Sequence, residues 1–218
     1  MPKLVWHGTG TKFYETGVDR GVLFVKDTED GTYGKGVAWQ GLVSVSESPS
    51  GAEANPQYAD NTKYLNLYSA EEFGATIEAF TYPKEFEECD GSAQIVKGVY
   101  ATQQERTGFA FSYRTLIGND VKQTKAGYKL HIIYGAMATP SEKSRSTVNE
   151  SPEAVTFSWE VTTTSVDVPG FKQTAHIVID SREVSTEDLT KIEDALYGSE
   201  LKESNLLMPD DIIKMLTP

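Results

Sequence analysis

Val155, Phe157, Trp159 and Val161 alternate with Thr156, Ser158, Glu160 and Thr162. Side chains with a period of two fit an extended strand that packs one face and wets the other, and they do not fit a helix. The pattern recurs. Phe109, Phe111 and Tyr113 alternate with Ala110, Ser112 and Arg114, Tyr128, Leu130, Ile132 and Tyr134 form another strand, and Ala175, Ile177 and Ile179 close the series. Nearer the start, Val22 and Phe24 open a first strand. Val37, Trp39, Val43 and Val45 lie on one face of a second, with Gln40, Ser44 and Ser46 opposite. Further strands are expected from Lys63 to about Ser69 and from Phe73 to Tyr82. The body is therefore read as mainly β, a β-sandwich over residues 19–182, preceded by an N-terminal arm at 1–18.

Two interruptions are helical. Pro83 to Cys89 reads as one short helix with proline in its first turn and Asp90-Gly91 as its stop. After Asp180 the period changes: Leu189, Ile192 and Leu196 step by three and four behind a Ser185-Thr186-Glu187-Asp188 start, and Pro209 introduces Ile212, Ile213 and Leu216. Residues 183–218 are thus an acidic helical C-terminal arm, with nine acidic residues against three lysines. Its apolar faces need a partner, either this chain's own sandwich or a neighbouring subunit.

Two connections exceed the usual length for a compact domain, residues 46–61 and residues 139–153. The first is read as a functional loop because it joins two strong strands and carries Tyr58 with no strand to pack in.

Composition narrows the function classes. The formal charge is −12 over 218 residues, and a surface that reads nucleic acid needs phosphate-neutralising lysine and arginine. Passive contact with DNA is compatible with this charge. Cys89 is the only cysteine, so an internal disulfide, a thiolate zinc site and a CxxC redox pair are all excluded. Its neighbours Glu87, Glu88 and Asp90 would raise a thiol pKa. His7, His131 and His176 stand alone in sequence without ligand spacing, although residues distant in sequence could converge. Asp27 to Gly31 fails the calcium-loop pattern and reads as a turn. The glycines at 31, 34 and 36 match no phosphate-binding motif. No catalytic residue, cofactor or metal is expected. The opening residues lack a signal-peptide apolar run and no stretch is long enough to span a membrane, so folding in a cytoplasm is expected.

One stretch is more specific: Tyr58-Ala-Asp-Asn-Thr-Lys-Tyr64, then Gly74-Ala-Thr-Ile-Glu-Ala-Phe-Thr-Tyr-Pro83, then a short helix ending at Cys89-Asp-Gly91. It resembles the major tail tube proteins of long-tailed, siphophage-type bacteriophages. Gly108 to Arg114 and Pro152 to Thr164 look like the same family, so the resemblance runs from about Gly17 to Asp180.

That resemblance implies a non-enzymatic virion protein of tail-tube type, assembled in the host bacterial cytoplasm. Hexameric rings would stack into a hollow tube that conducts double-stranded DNA during genome ejection. Its implied partners are further copies of the chain, with tape measure, tail terminator and distal tail proteins, and no membrane. Loop 46–61 would reach the adjoining ring, with Glu47, Glu53, Asn55, Tyr58 and Asp60 as candidate contacts. The candidates for the lumen wall are Gln40, Ser44, Ser46, Thr156, Ser158, Glu160 and Thr162. A different class of function, a carbohydrate- or receptor-binding β-sandwich of a virion, would use Trp39, Trp159 or Tyr58 as a stacking platform. Trp39 and Trp159, however, lie on apolar strand faces, where core aromatics go.

Overall fold

The computed structural model describes residues 4, 6–145, 147 and 154–217. Parts of the expected N-terminal arm and of the 139–153 connection lie outside the described residues. In chain order the elements are β1 (Phe13–Val25), β2 (Val37–Trp39), β3 (Leu42–Glu47), β4 (Ser50–Gly51), β5 (Ala54–Ala59), β6 (Thr62–Tyr68), β7 (Glu71–Glu72) and β8 (Gly74–Ala79). There follow α1 (Phe86–Cys89), β9 (Ser92–Val96), β10 (Val99–Thr102), β11 (Phe109–Asn119), β12 (Gln123–Ala138), β13 (Phe157–Thr163), β14 (His176–Asp180), α2 (Thr186–Tyr197) and α3 (Pro209–Leu216). The fold is mainly β, as the alternation requires.

The main antiparallel sheet has the order β2-β1-β11-β12-β13-β8-β3, with β14 also paired to β12. Strand β12 serves two partners in succession: Lys129 to Ile133 pair with β14, and Ala136 to Ala138 pair with β13. Gly135 lies between them at φ 55°, where an added Cβ would overlap the Thr164 carbonyl. Only glycine takes that conformation so close to another backbone. Here β12 leaves one half of the sheet and enters the other.

The two halves fold over one another around an aromatic core. Leu23, Trp39, Phe109, Phe111 and Ile133 from one half meet Ala75, Ile77, Trp159 and Val161 from the other. The Trp39 and Trp159 rings sit 5.5 Å apart, edge to face, a geometry that adds to what burial alone gives. Phe86 of α1 plugs the same core.

A second core lies on the outer face of the first half. Val22, Phe24, Leu130, Ile132 and Tyr134 are covered by Leu189, Ile192 and Leu196 of α2, by Leu206 and Leu207, and by Ile212 of α3. The C-terminal helices therefore pack on this chain's own sheet. Ser185 caps α2 as the sequence indicates, its hydroxyl accepting the Asp188 N–H, and the Tyr134 hydroxyl donates to the Leu207 carbonyl at 2.8 Å.

Several local expectations change. Strand β11 is not half-buried, because the helices cover the face opposite the aromatic core, and Phe109 to Tyr113 are all buried. Strand β1 begins at Phe13, so residues 13–18 pair with β11 instead of forming an arm. The second expected strand breaks at Gly41 (φ 77°), and a bulge between Leu42 and Ser44 turns Leu42 and Val45 inward while leaving Val43 exposed. Among the described residues no helix is long and apolar enough to cross a membrane.

Candidate functional site

Strands β3, β8 and β13 form a layer whose inner residues enter the aromatic core and whose outer residues meet no covering element. Register sets the outer residues in rows: Ser44 beside Glu78 beside Ser158, and Ser46 beside Thr76 beside Glu160. Thr162 continues the face opposite Gly74. Five of the seven wall candidates thus come together on one polar face. Thr156 is exposed just before β13, and Gln40 sits apart at the corner between β2 and β3. Thr76 and Glu78 join this face in addition to the candidates, and their alternation with the buried Ala75, Ile77 and Ala79 is visible in sequence. Among the described residues neither Glu78 nor Glu160 has an ion-pair partner, so the face carries uncompensated negative charge.

The segment expected as a loop over 46–61 is instead half of a projecting ribbon. Its foot is the β4/β7 pairing, and beyond that β5 and β6 form a hairpin. The turn is Asp60-Asn61, both at positive φ (50° and 58°), as a two-residue turn with the twist of a hairpin demands. Glu53, Asn55, Tyr58 and Asp60 all lie on this ribbon, exposed. Tyr58 and Tyr64 are each 71% exposed, and Leu67 and Tyr68 are also bare. Strand β5 escaped sequence reading because its residues do not alternate and Pro56 argues against a strand interior. In a two-stranded ribbon proline is tolerated at a position whose N–H faces outward. A second hairpin, β9/β10, turns at Lys97-Gly98 and exposes Ile95, Val96 and Val99.

Glu47, the fifth loop candidate, points elsewhere. It ends β3 beside two histidines from the other half of the sheet. Among the described residues Glu47, His131 and His176 are the group of potential ligands whose donor atoms all lie within 4.8 Å of one another. His131 Nδ1 is 3.2 Å from His176 Nε2 and 3.6 Å from Glu47 Oε1. The Tyr113 hydroxyl donates to that carboxylate at 2.9 Å, and the Tyr113 ring stacks on His131 at 4.5 Å. Phe73 stacks on His176 at 4.6 Å. Burial, then the neighbouring His176, pushes His131 down to about 4, and burial likewise lowers His176 against the opposing pull of Glu47. Both rings are therefore neutral near pH 7, and their approaches to Glu47 are not ion pairs. Sequence reading leaves these histidines isolated, since only the register of β12 against β14 brings them together.

Cys89 is fully buried, and its thiol is pushed up to about 12 by burial first and by Glu88 and Asp90 next. Trp39 and Trp159 are buried in the core, so neither can serve as a stacking platform for a sugar.

No protein-family model and no curated protein matches this chain. Among solved structures it is similar to a chain of the anti-feeding prophage baseplate, 6-fold symmetrised, at 8% identity and a TM-score of 0.36, covering 74% of this chain and 93% of that one. A chain of the anti-feeding prophage tube terminating cap gives 12% identity and a TM-score of 0.33 over 83% and 97%. A chain of the sheath-tube complex of an extracellular contractile injection system, PVC, in its extended state, gives 13% identity and 0.31 over 81% and 94%.

Proposed function

We propose that this chain is a structural protein of a phage-type tail, which assembles with copies of itself as hexameric rings stacked into a hollow tube for the ejected genome. The observation that carries this reading is the β5/β6 ribbon. An isolated two-stranded ribbon is marginal in water. This one holds Tyr58, Tyr64, Leu67 and Tyr68 away from the body, and exposed apolar area of that kind marks a protein contact. Contact with the next ring would bury it. The Tyr58 to Pro83 sequence resemblance to tail tube proteins supports the same assignment, and no enzymatic step is required.

The polar face of β3, β8 and β13 is assigned to the lumen. Its Glu78 and Glu160 would repeat around each ring, and such a wall repels phosphate and lets DNA slide. The partners are other copies of the chain, DNA in passage, and the tape measure, tail terminator and distal tail proteins. The virion tail is the place of function. Electron microscopy of the purified full chain tests the reading. Six-fold rings or stacked tubes are the expected result, and a protein that stays monomeric at all concentrations would overturn it.

A further inference from the structure

Three strands distant in sequence deliver Glu47, His131 and His176 to one point between the two halves of the sheet. We propose that these side chains form a binding site for a divalent transition-metal ion, Zn²⁺ foremost, with water as the fourth ligand. The inference is independent of whether the chain forms tubes.

The spacing fits the ion. Zinc–nitrogen and zinc–oxygen bonds of about 2.0–2.1 Å at tetrahedral angles place neighbouring ligand atoms roughly 3.3–3.4 Å apart. His131 Nδ1 stands 3.2 Å from His176 Nε2 and 3.6 Å from Glu47 Oε1, and Glu47 Oε2 comes to 3.9 Å of His176 Nδ1. One donor atom from each residue lies within 4.8 Å of the others, so a modest turn of the exposed Glu47 side chain and the His176 ring closes the third edge around an ion. Two imidazoles and a carboxylate are also a known three-ligand set for zinc with one position left to water.

The surroundings prepare His131 as a ligand. The Thr115 hydroxyl donates to Glu15 Oε1 at 2.6 Å, so its oxygen is left to accept from His131 Nε2 at 3.0 Å. The ring proton is thereby held on Nε2 and the Nδ1 lone pair faces His176 and Glu47. This chain of ring, hydroxyl and carboxylate is the kind of outer support that orients metal-bound histidines. Glu47 has its own support in the Tyr113 hydroxyl. When the ion enters, it replaces the hydrogen bond between the rings: His176 moves its proton from Nε2 to Nδ1, and both rings remain neutral. Tyr113 and Phe73 wall the site with aromatic rings, while the Glu47 side chain, 40% exposed, leaves an entry path. A bound ion would tie β3 to β12 and β14, and β3 leads directly into the projecting ribbon.

The test is titration of the metal-free full chain with Co²⁺, followed by the visible absorption of a tetrahedral site, and competition with Zn²⁺. One equivalent should bind, Zn²⁺ should displace it, and Zn²⁺ should raise the melting temperature. Glu47→Gln and His176→Gln should each abolish the signal, whereas His7→Gln should leave it intact. Glu47→Gln changes an exposed side chain, so a folded variant, checked by circular dichroism, is secure. Thr115→Val should weaken binding by about 10- to 100-fold, with recovery in Thr115→Ser. Failure of the native chain to bind either ion overturns the proposal, as does binding that survives Glu47→Gln or His176→Gln or that is lost in His7→Gln.

Discussion

Ser44 donates its hydroxyl to Glu78 Oε2 at 2.8 Å, joining β3 to β8 across the uncovered polar face. The bond aligns a carboxylate beside Ser158 and one strand step from the row of Glu160. Reversing charge on this face should leave the fold alone, because nothing packs on it. On the proposed assembly, Glu160→Lys is expected to give tubes of normal appearance and slower DNA ejection, since ring symmetry would repeat each new cation around the bore. Ejection kinetics at low and high salt check this, and the defect should shrink as salt screens it. Unchanged kinetics with intact tubes would remove Glu160 from the lumen.

The face was half legible in sequence. Ser158 and Glu160 announce themselves through strict alternation with Trp159 and Val161, and Ser44 and Ser46 through Val45. That the two sets adjoin depends on β8 lying between them, and strand order is a long-range property that local patterning does not encode. The same limit hid the convergence of Glu47, His131 and His176. Half of the ribbon is legible, since the strand expected from Lys63 is β6; β5 is not, because it has no buried side and so carries no alternation to read, and the Asp60-Asn61 turn is the local sign that joins the two.

Ile192 of α2 is fully buried against the sheet. Ile192→Ala should cost about 2–5 kcal/mol through lost burial and the cavity left behind. At roughly 2–4 °C per kcal/mol for a chain of this size, calorimetry should show a clearly lowered midpoint. Removing everything after Asp180 should do more, because Leu130, Ile132 and Tyr134 would lose their cover. That truncated chain is expected to fail to fold. A soluble, cooperatively melting product would show that the helices are dispensable to the core.

The buried Cys89 thiol is held at about 12 against an ordinary value of 9.0. At pH 8 only about one thiol in ten thousand is ionised in the native chain, and iodoacetamide should modify it only after unfolding. The linkage has a definite sign. The folded state keeps a proton that the unfolded chain releases more easily, so this contribution to stability is complete below pH 9 and is lost as pH rises toward 12. Cys89→Ala should flatten the alkaline limb of a melting-temperature profile, and an identical limb in both proteins would refute the assignment.

The ribbon gives the sharpest separation of folding from assembly. Residues 53–69 can be replaced by a short glycine link between Ala52 and Ala70, whose backbones already meet through the Ala52 N–H and Ala70 carbonyl at 3.4 Å. The β4/β7 foot is retained, neither hydrophobic core loses a residue, and a shorter loop costs little closure entropy. The deletion is therefore expected to melt within a few degrees of the native chain. Assembly should respond differently, because the exposed Tyr58, Tyr64, Leu67 and Tyr68 are removed with the ribbon. Tubes should be absent by electron microscopy and sedimentation. Tyr58→Ala alone should weaken stacking by roughly 1–3 kcal/mol for each contact it makes, read as a raised concentration threshold for assembly. Tubes of normal length from the deletion would show that the ribbon is not the contact between rings.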